Sequence, residues 1–522
     1  MKSPARTVLT TERCLGAGPP LRTGSRAAYS AVGELPGESH VVRDELAHSP
    51  TGGEAPRGGT VACFVHVTDL HVTDAQSPAR FEFVNRYWDD PRFRELLTMQ
   101  RPQEMLNTHA IAAMVRAINN LGAAPLTGDA PQLVAMTGDS IDNAQRNELT
   151  SFLALFNGGT VRPDSGAPGY DGVQRPDWPG DIFWKPDGEQ GADLFQSALG
   201  FPRRPGVLAE AVQAFPTEGL AIPWLGCYGN HEEVCQGVGL VTPALAAAMT
   251  AGHKPVEPPA DLDPDHAVEA FIDHPETFMT GAAIEVPPDP ERRPISRGEF
   301  VDAHARSGGH GFTSQNVEDE LAYYVHDTGL VRFITLDTVC DAGGADGSID
   351  PPQLRWLERR LEEAHSSFKS RDGSVVQTSN GDRYVVILSH HGLDTLTNPR
   401  GDRSAGALLD LLLRFGNVIL WLNGHTHFNR ITPRAGKRGE RGFWEVTTSS
   451  MVDWPCQSRV VEILRTASGL LAIGCTMVDH DGDGLAGLHR ELAGNSLYGG
   501  FDSHRAGTPA DRNAILLLQA PF

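Results

Sequence analysis

The chain has little of what would place a protein in a membrane, on nucleic acid or in a disulfide scaffold. No apolar stretch approaches the length needed to cross a bilayer. The seven cysteines, Cys14, Cys63, Cys227, Cys235, Cys340, Cys456 and Cys475, are dispersed, odd in number and contain no Cys-x-x-Cys pair. That pattern argues against a disulfide framework or a zinc–thiolate site and leaves buried free thiols as the expectation. Positive charge is also short, with 44 Lys and Arg against 66 Asp and Glu, a formal net charge of -22. Binding of nucleic acid by bulk electrostatics is therefore disfavoured. A phosphate-bearing ligand is not, because bound cations reverse the local sign of a site. The first fifty residues are polar and lack a continuous apolar core, so no secretory signal is visible and the cytoplasm is the default location. An exported protein with a different start would read the same way.

What is present is an ordinary globular composition, 40% hydrophobic and 21% charged over 522 residues. Residues 1–59 hold many turn formers and little periodicity, and read as an extended leader. Residues 60–480 read as one large domain with Pro-, Gly- and Asp-rich inserts around 157–218 and 236–306, and residues 481–522 as a C-terminal extension. Within the domain one pattern recurs, a short apolar run ending in polar residues. Val61–Val67 leads to Asp69 and His71, Gln132–Thr137 to Asp139, and Ile222–Cys227 to Asn230, His231 and Glu232. Tyr384–Ser389 ends at His390 and His391, and Asn417–Leu422 runs into His425 and His427. Such runs mark strands buried on both faces. Helices are expected between them: His109–Leu121 with Thr108 as cap, one through Leu354, Leu357 and Leu361 opened by Asp350 and Pro351, and Leu408–Leu413. Ala322–Val325 and Val331–Leu336 flank Asp327-Thr-Gly and read as a hairpin. The class is α/β.

In such a sheet the loops at the carboxyl ends of the strands share one crevice. Asp69, His71, Asp139, Asn230, His390, His425 and His427 would therefore meet there. Carboxylate, amide oxygen and imidazole donors suit Zn, Mn or Fe. Seven ligands are too many for one tetrahedral ion and suffice for two ions sharing a carboxylate.

Asp69-x-His71, Gly138-Asp139-x-x-Asp142-Asn143, Gly229-Asn230-His231-Glu232, His390 and Gly424-His425-x-His427 resemble, in order, the five motifs of the calcineurin-like metallophosphoesterase superfamily. The spacings look like a long-insert bacterial subgroup. The resemblance implies a two-sheet β-sandwich core flanked by helices, and a hydrolase of phosphate monoesters or diesters using two divalent or trivalent metal ions and a metal-activated water. It implies that Asp69, His71 and His427 hold one ion and Asn230, His390 and His425 the other, with Asp139 bridging. His231 would act as general acid, and Asp142 would orient it. Of the adjacent pair, the motif favours His390 as ligand and leaves His391 behind it or facing substrate.

Each motif alone has a bland explanation in turns or packed polar residues. Five in order, each after a strand, do not. A non-catalytic or structural metal-binding protein of the same fold is the alternative reading. Other features read as structure: Asp479-His-Asp-Gly-Asp-Gly484 lacks the closing Glu of a calcium loop and reads as a turn, Gly309-His310-Gly311 as a glycine-rich loop, and Asp453-Trp454-Pro455 as a packing turn. Asp74 and Arg80 fit either a phosphate contact or a surface ion pair.

Overall fold

The computed structural model describes residues 7–47, 58–402, 404–436 and 441–522. Two mixed sheets face each other, as the α/β reading and the two-layer core require. One has the order Tyr324–Thr328, Val331–Thr335, Tyr384–Leu388, Val418–Asn423, Phe443–Thr447 and Arg430–Arg434, with four parallel inner strands and antiparallel edges. The other runs Val41–Leu46, Ala514–Gln519, Leu470–Asp479, Gln457–Thr466, Gly58–Val67, Val134–Met136 and Trp224–Leu225. Its last three strands are parallel and carry the first three motifs.

Four of the five apolar runs are inner strands and the third, Trp224–Leu225, is the edge of the second sheet; their apolar residues are buried because both faces are covered. Between the sheets Phe64 meets Phe333 edge to face at 5.2 Å; truncating either ring would cost about 3–5 kcal/mol. Helices Pro351–Glu362 and Ala405–Leu413 bury Leu357, Leu361, Leu408 and Leu412 against the outer face of the first sheet. Asp350 caps the former, accepting from the Gln353 N–H at 2.7 Å, with proline in its first turn. The helix expected from His109 runs Asn107–Asn119, so Thr108 lies inside its first turn rather than at its cap.

The described residues of the expected extended leader, 1–59, are folded onto the domain. Arg13–Thr23 and Ala28–Pro36 pair as an antiparallel hairpin, and Val41–Leu46 joins the second sheet beside Ala514–Gln519. The presumed C-terminal extension thus supplies an internal strand, between Leu470–Asp479 and Val41–Leu46. Residues 1–6 and 48–57 of that leader lie outside the described residues. The inserts form short helices and two-stranded ribbons, Gly159–Val161 with Phe215–Thr217 and His253–Pro255 with Ala283–Glu285. All seven cysteines are free and buried. No helix among the described residues is long and apolar enough to cross a membrane.

Candidate metal centre

The strand ends deliver their polar residues through tight, unusual backbone. Asp69, His71, Asp139, His425 and His427 all have left-handed φ, between 50° and 65°. That region is unfavourable for residues with a side chain, though less so for Asp and His than for most. Neighbouring loops hold it by hydrogen bonds: the N–H of Asp69 donates to Gly138 O at 3.1 Å and that of His71 to Asp139 O at 3.0 Å. The Gly424 N–H donates to His390 O at 3.0 Å, and the His425 N–H to Asp69 Oδ1 at 3.0 Å. Two motif glycines are there for space. A Cβ on Gly424 would lie 2.0 Å from Thr68 Oγ1 and 2.2 Å from Asp69 Oδ2, and one on Gly229 would lie 2.3 Å from Asp139 Oδ1. Glu232, fully buried, knits the loops by accepting from the N–H groups of Gly229, Asp139 and Ser140 at 2.6, 3.0 and 2.8 Å.

The result is a cluster in which acceptors face acceptors. His71 Nδ1 bonds Asp142 Oδ1 at 3.1 Å and His427 Nδ1 bonds Asp453 Oδ2 at 2.7 Å. Each carboxylate fixes the proton on Nδ1 and leaves a lone pair on Nε2. Those two Nε2 atoms stand 3.2 Å apart, with Asp69 Oδ1 3.4 Å from that of His427. Beside them, His390 Nδ1 donates to Thr137 O at 2.9 Å, and its Nε2 lies 2.9 Å from Asn230 Oδ1 and 3.1 Å from Asp139 Oδ2. Asn230 turns its Nδ2 to Gly237 O at 3.4 Å, so its oxygen faces the histidines, with His425 Nδ1 3.0 Å away. Lone pairs converging in a buried place repel unless a cation lies among them. A proton can take that part: His390, lowered by burial but raised further by Asp139 and Asp69, is pushed up to about 9. Nitrogen and oxygen donors in this number fit Zn, Mn or Fe.

Asp139 Oδ2 lies between the two groups, 3.7 Å from His71 Nε2 and 3.1 Å from His390 Nε2. His231 closes the site on the cavity side. Its Nδ1 donates to the Asp142 carbonyl at 3.0 Å and lies 3.3 Å from Asp142 Oδ1. Burial opposes its protonation, but Asp139 and Asp142 prevail and hold its pKa above the ordinary value. Asp142 stays ionised despite burial, because the Arg80 guanidinium beside it holds its carboxyl well below the usual range.

All nine residues expected from the motifs are therefore gathered at one place. His391 is not free to join them: its Nε2 donates to Ala345 O and its Nδ1 pairs with Thr338 Oγ1, both at 2.9 Å. Two expectations change, and a third holds. Asp453 is no mere packing residue, since its carboxylate carries His427. Arg80 and Asp74 are neither at the surface nor facing a ligand. Both are buried, Arg80 on Asp142 and Glu104, and Asp74 on Arg292 at 3.1 Å. His310 stacks on Trp224 with ring centroids 3.6 Å apart, well outside the cluster. Arg101 and Arg505, which the sequence gave no reason to single out, line the adjoining cavity of about 180 Å³ with Asp139, Asn230, His231, His425 and His427.

Part of the chain is similar to a known family. The family model for calcineurin-like phosphoesterase matches residues 178–429, just under half of the chain. Asp69, His71, Asp139 and Asp142 lie before the matched span. Among solved structures, that of the sulfate thiohydrolase SoxB of Thermus thermophilus in complex with glycerol is similar at 14% identity and a TM-score of 0.25. That alignment covers 79% of this chain and 55% of the other, so the chain spans about half the length of that neighbour. No curated protein matches.

Proposed function

We propose that the protein hydrolyses phosphate esters at a centre of two metal ions. The observation that supports this most is the convergence of His71 Nε2, His427 Nε2, His390 Nε2, Asn230 Oδ1 and two aspartates with their lone pairs turned inward. In this reading Asp69, His71 and His427 would hold one ion and Asn230, His390 and His425 the other, with Asp139 available to both. When bound, such a pair would supply Lewis acidity and an activated water for an in-line displacement.

The chain's own residues do the rest. Asp142 and Asp453 fix the tautomers of His71 and His427, so each presents Nε2 as a ligand. His390 is the ligand of its pair, because both nitrogens of His391 are already engaged. His231, with Nδ1 committed to Asp142 and a raised pKa, carries a proton on Nε2 at the cavity wall and delivers it to the leaving oxygen. A general acid so placed is worth roughly 10²–10⁴-fold in rate. The segment from Glu95 to Arg101, with Gln236, Val238 and Arg505, walls the cavity and would set substrate choice.

Metal analysis of the purified protein, followed by assay of p-nitrophenyl phosphate and its bis ester before and after chelation, tests the reading. Turnover that vanishes with chelator and returns with Mn, Zn or Fe is expected, and D139N should lose both ions together. Undiminished turnover after exhaustive chelation would overturn the mechanism.

A further inference from the structure

Two arginines from outside every motif meet at the cavity on a single carboxylate. Arg101, in the segment before the first long helix, donates Nε to Asp453 Oδ1 at 2.9 Å and Nη1 to Glu104 at 3.3 Å. Its Nη2 has no hydrogen-bond partner among the described residues, although the side chain is only 9% exposed. Arg505, from the C-terminal segment, places Nη1 3.0 Å from Asp453 Oδ2, donates Nη2 to Tyr498 O at 3.1 Å and lies over the Phe428 ring at 5.4 Å. Asp453 in turn holds His427, so one carboxylate separates both guanidiniums from a metal-type histidine. Both line the cavity with His231, His425 and Asn230.

We propose that Arg101 and Arg505 form an oxyanion clamp that selects phosphate monoesters over diesters; this rests on the phosphoesterase reading. A guanidinium is a planar set of donors suited to phosphate oxygens, and its value here is directional. Its charge is already offset by Asp453 and Glu104, so net attraction for any anion is small and hydrogen-bond geometry decides. A monoester presents three unesterified phosphoryl oxygens and a diester two. If two oxygens face the ion pair, only the monoester keeps a third for the arginines. A diester would put an ester oxygen and its substituent there, a weaker acceptor that forfeits the arginine hydrogen bonds. The small cavity agrees with a compact head group rather than a polymer backbone.

The test is equilibrium binding by the full-length, Mn-loaded protein, titrated calorimetrically with methyl phosphate and with dimethyl phosphate. The wild type should bind methyl phosphate at least about tenfold more tightly. R505M, which keeps the side-chain stem and removes the donors, should weaken methyl phosphate by about tenfold and leave dimethyl phosphate within about twofold, at unchanged metal content. Should R505M lose its cooperative melt, R505K, which keeps the cation without the fork, must show the same one-sided loss. Equal losses for both ligands, no loss for either, or a wild type without preference would overturn the clamp. A binding contrast without turnover of any ester would instead count against the hydrolytic reading alone.

Discussion

Two buried polar regions lie side by side in this protein and obey opposite rules. Around Arg80, charges face their opposites: Arg80 reaches Asp142 and Glu104, and Glu82 receives Lys254 at 2.7 Å. Around Asp139, lone pairs face lone pairs and two carboxylates share the space with four imidazoles. The first is complete as the chain folds it. The second, on the reading proposed above, would be completed by bound cations. Asp142 belongs to both, accepting from Arg80 on one oxygen and serving His71 and His231 with the other. The self-sufficient region therefore aims the needy one.

That contrast can be broken by single substitutions. The largest effect is expected for R80M, which leaves Asp142 and Glu104 buried without their cation and costs about 3–5 kcal/mol of stability by urea unfolding. A loss below about 1 kcal/mol would show that the network is not self-contained. H231A lies on the other side of the divide. Its kcat on p-nitrophenyl phosphate should fall by at least about a hundredfold while metal content and unfolding midpoint hold; loss of metal would mean that His231 is a ligand instead. The smallest effect is expected for D453N, which keeps the shape but removes the charge behind His427. Metal affinity, read by competition with a chelator, should drop about 10–100-fold. An unchanged affinity would make Asp453 a partner of the arginines only.

The parts of the site legible in the sequence were those that combine two signals. An apolar run such as Tyr384–Leu388 says where a strand lies, and the polar residues that end it say what the strand carries. Asp453, Arg101 and Arg505 sit on irregular segments with no periodicity to place them, and their pairing across the chain is a tertiary fact. The hairpin of residues 13–36 escaped for a related reason, since its Gly- and Pro-bearing strands are half exposed and alternate weakly. The strand Ala514–Gln519 is different. Its run Ala-Ile-Leu-Leu-Leu is the same kind of signal as the inner strands, but no polar cluster follows to draw attention to it.

That strand also orders events in time. Val41 pairs with Ala514 and Leu46 with Leu518, so one strand waits for a neighbour synthesised long after it. Contacts so distant in sequence form slowly, and an unpaired strand edge invites association with other chains meanwhile. Arg505 is delivered by the same late segment. A nascent chain can thus gather its histidines and aspartates before the wall beside them is finished.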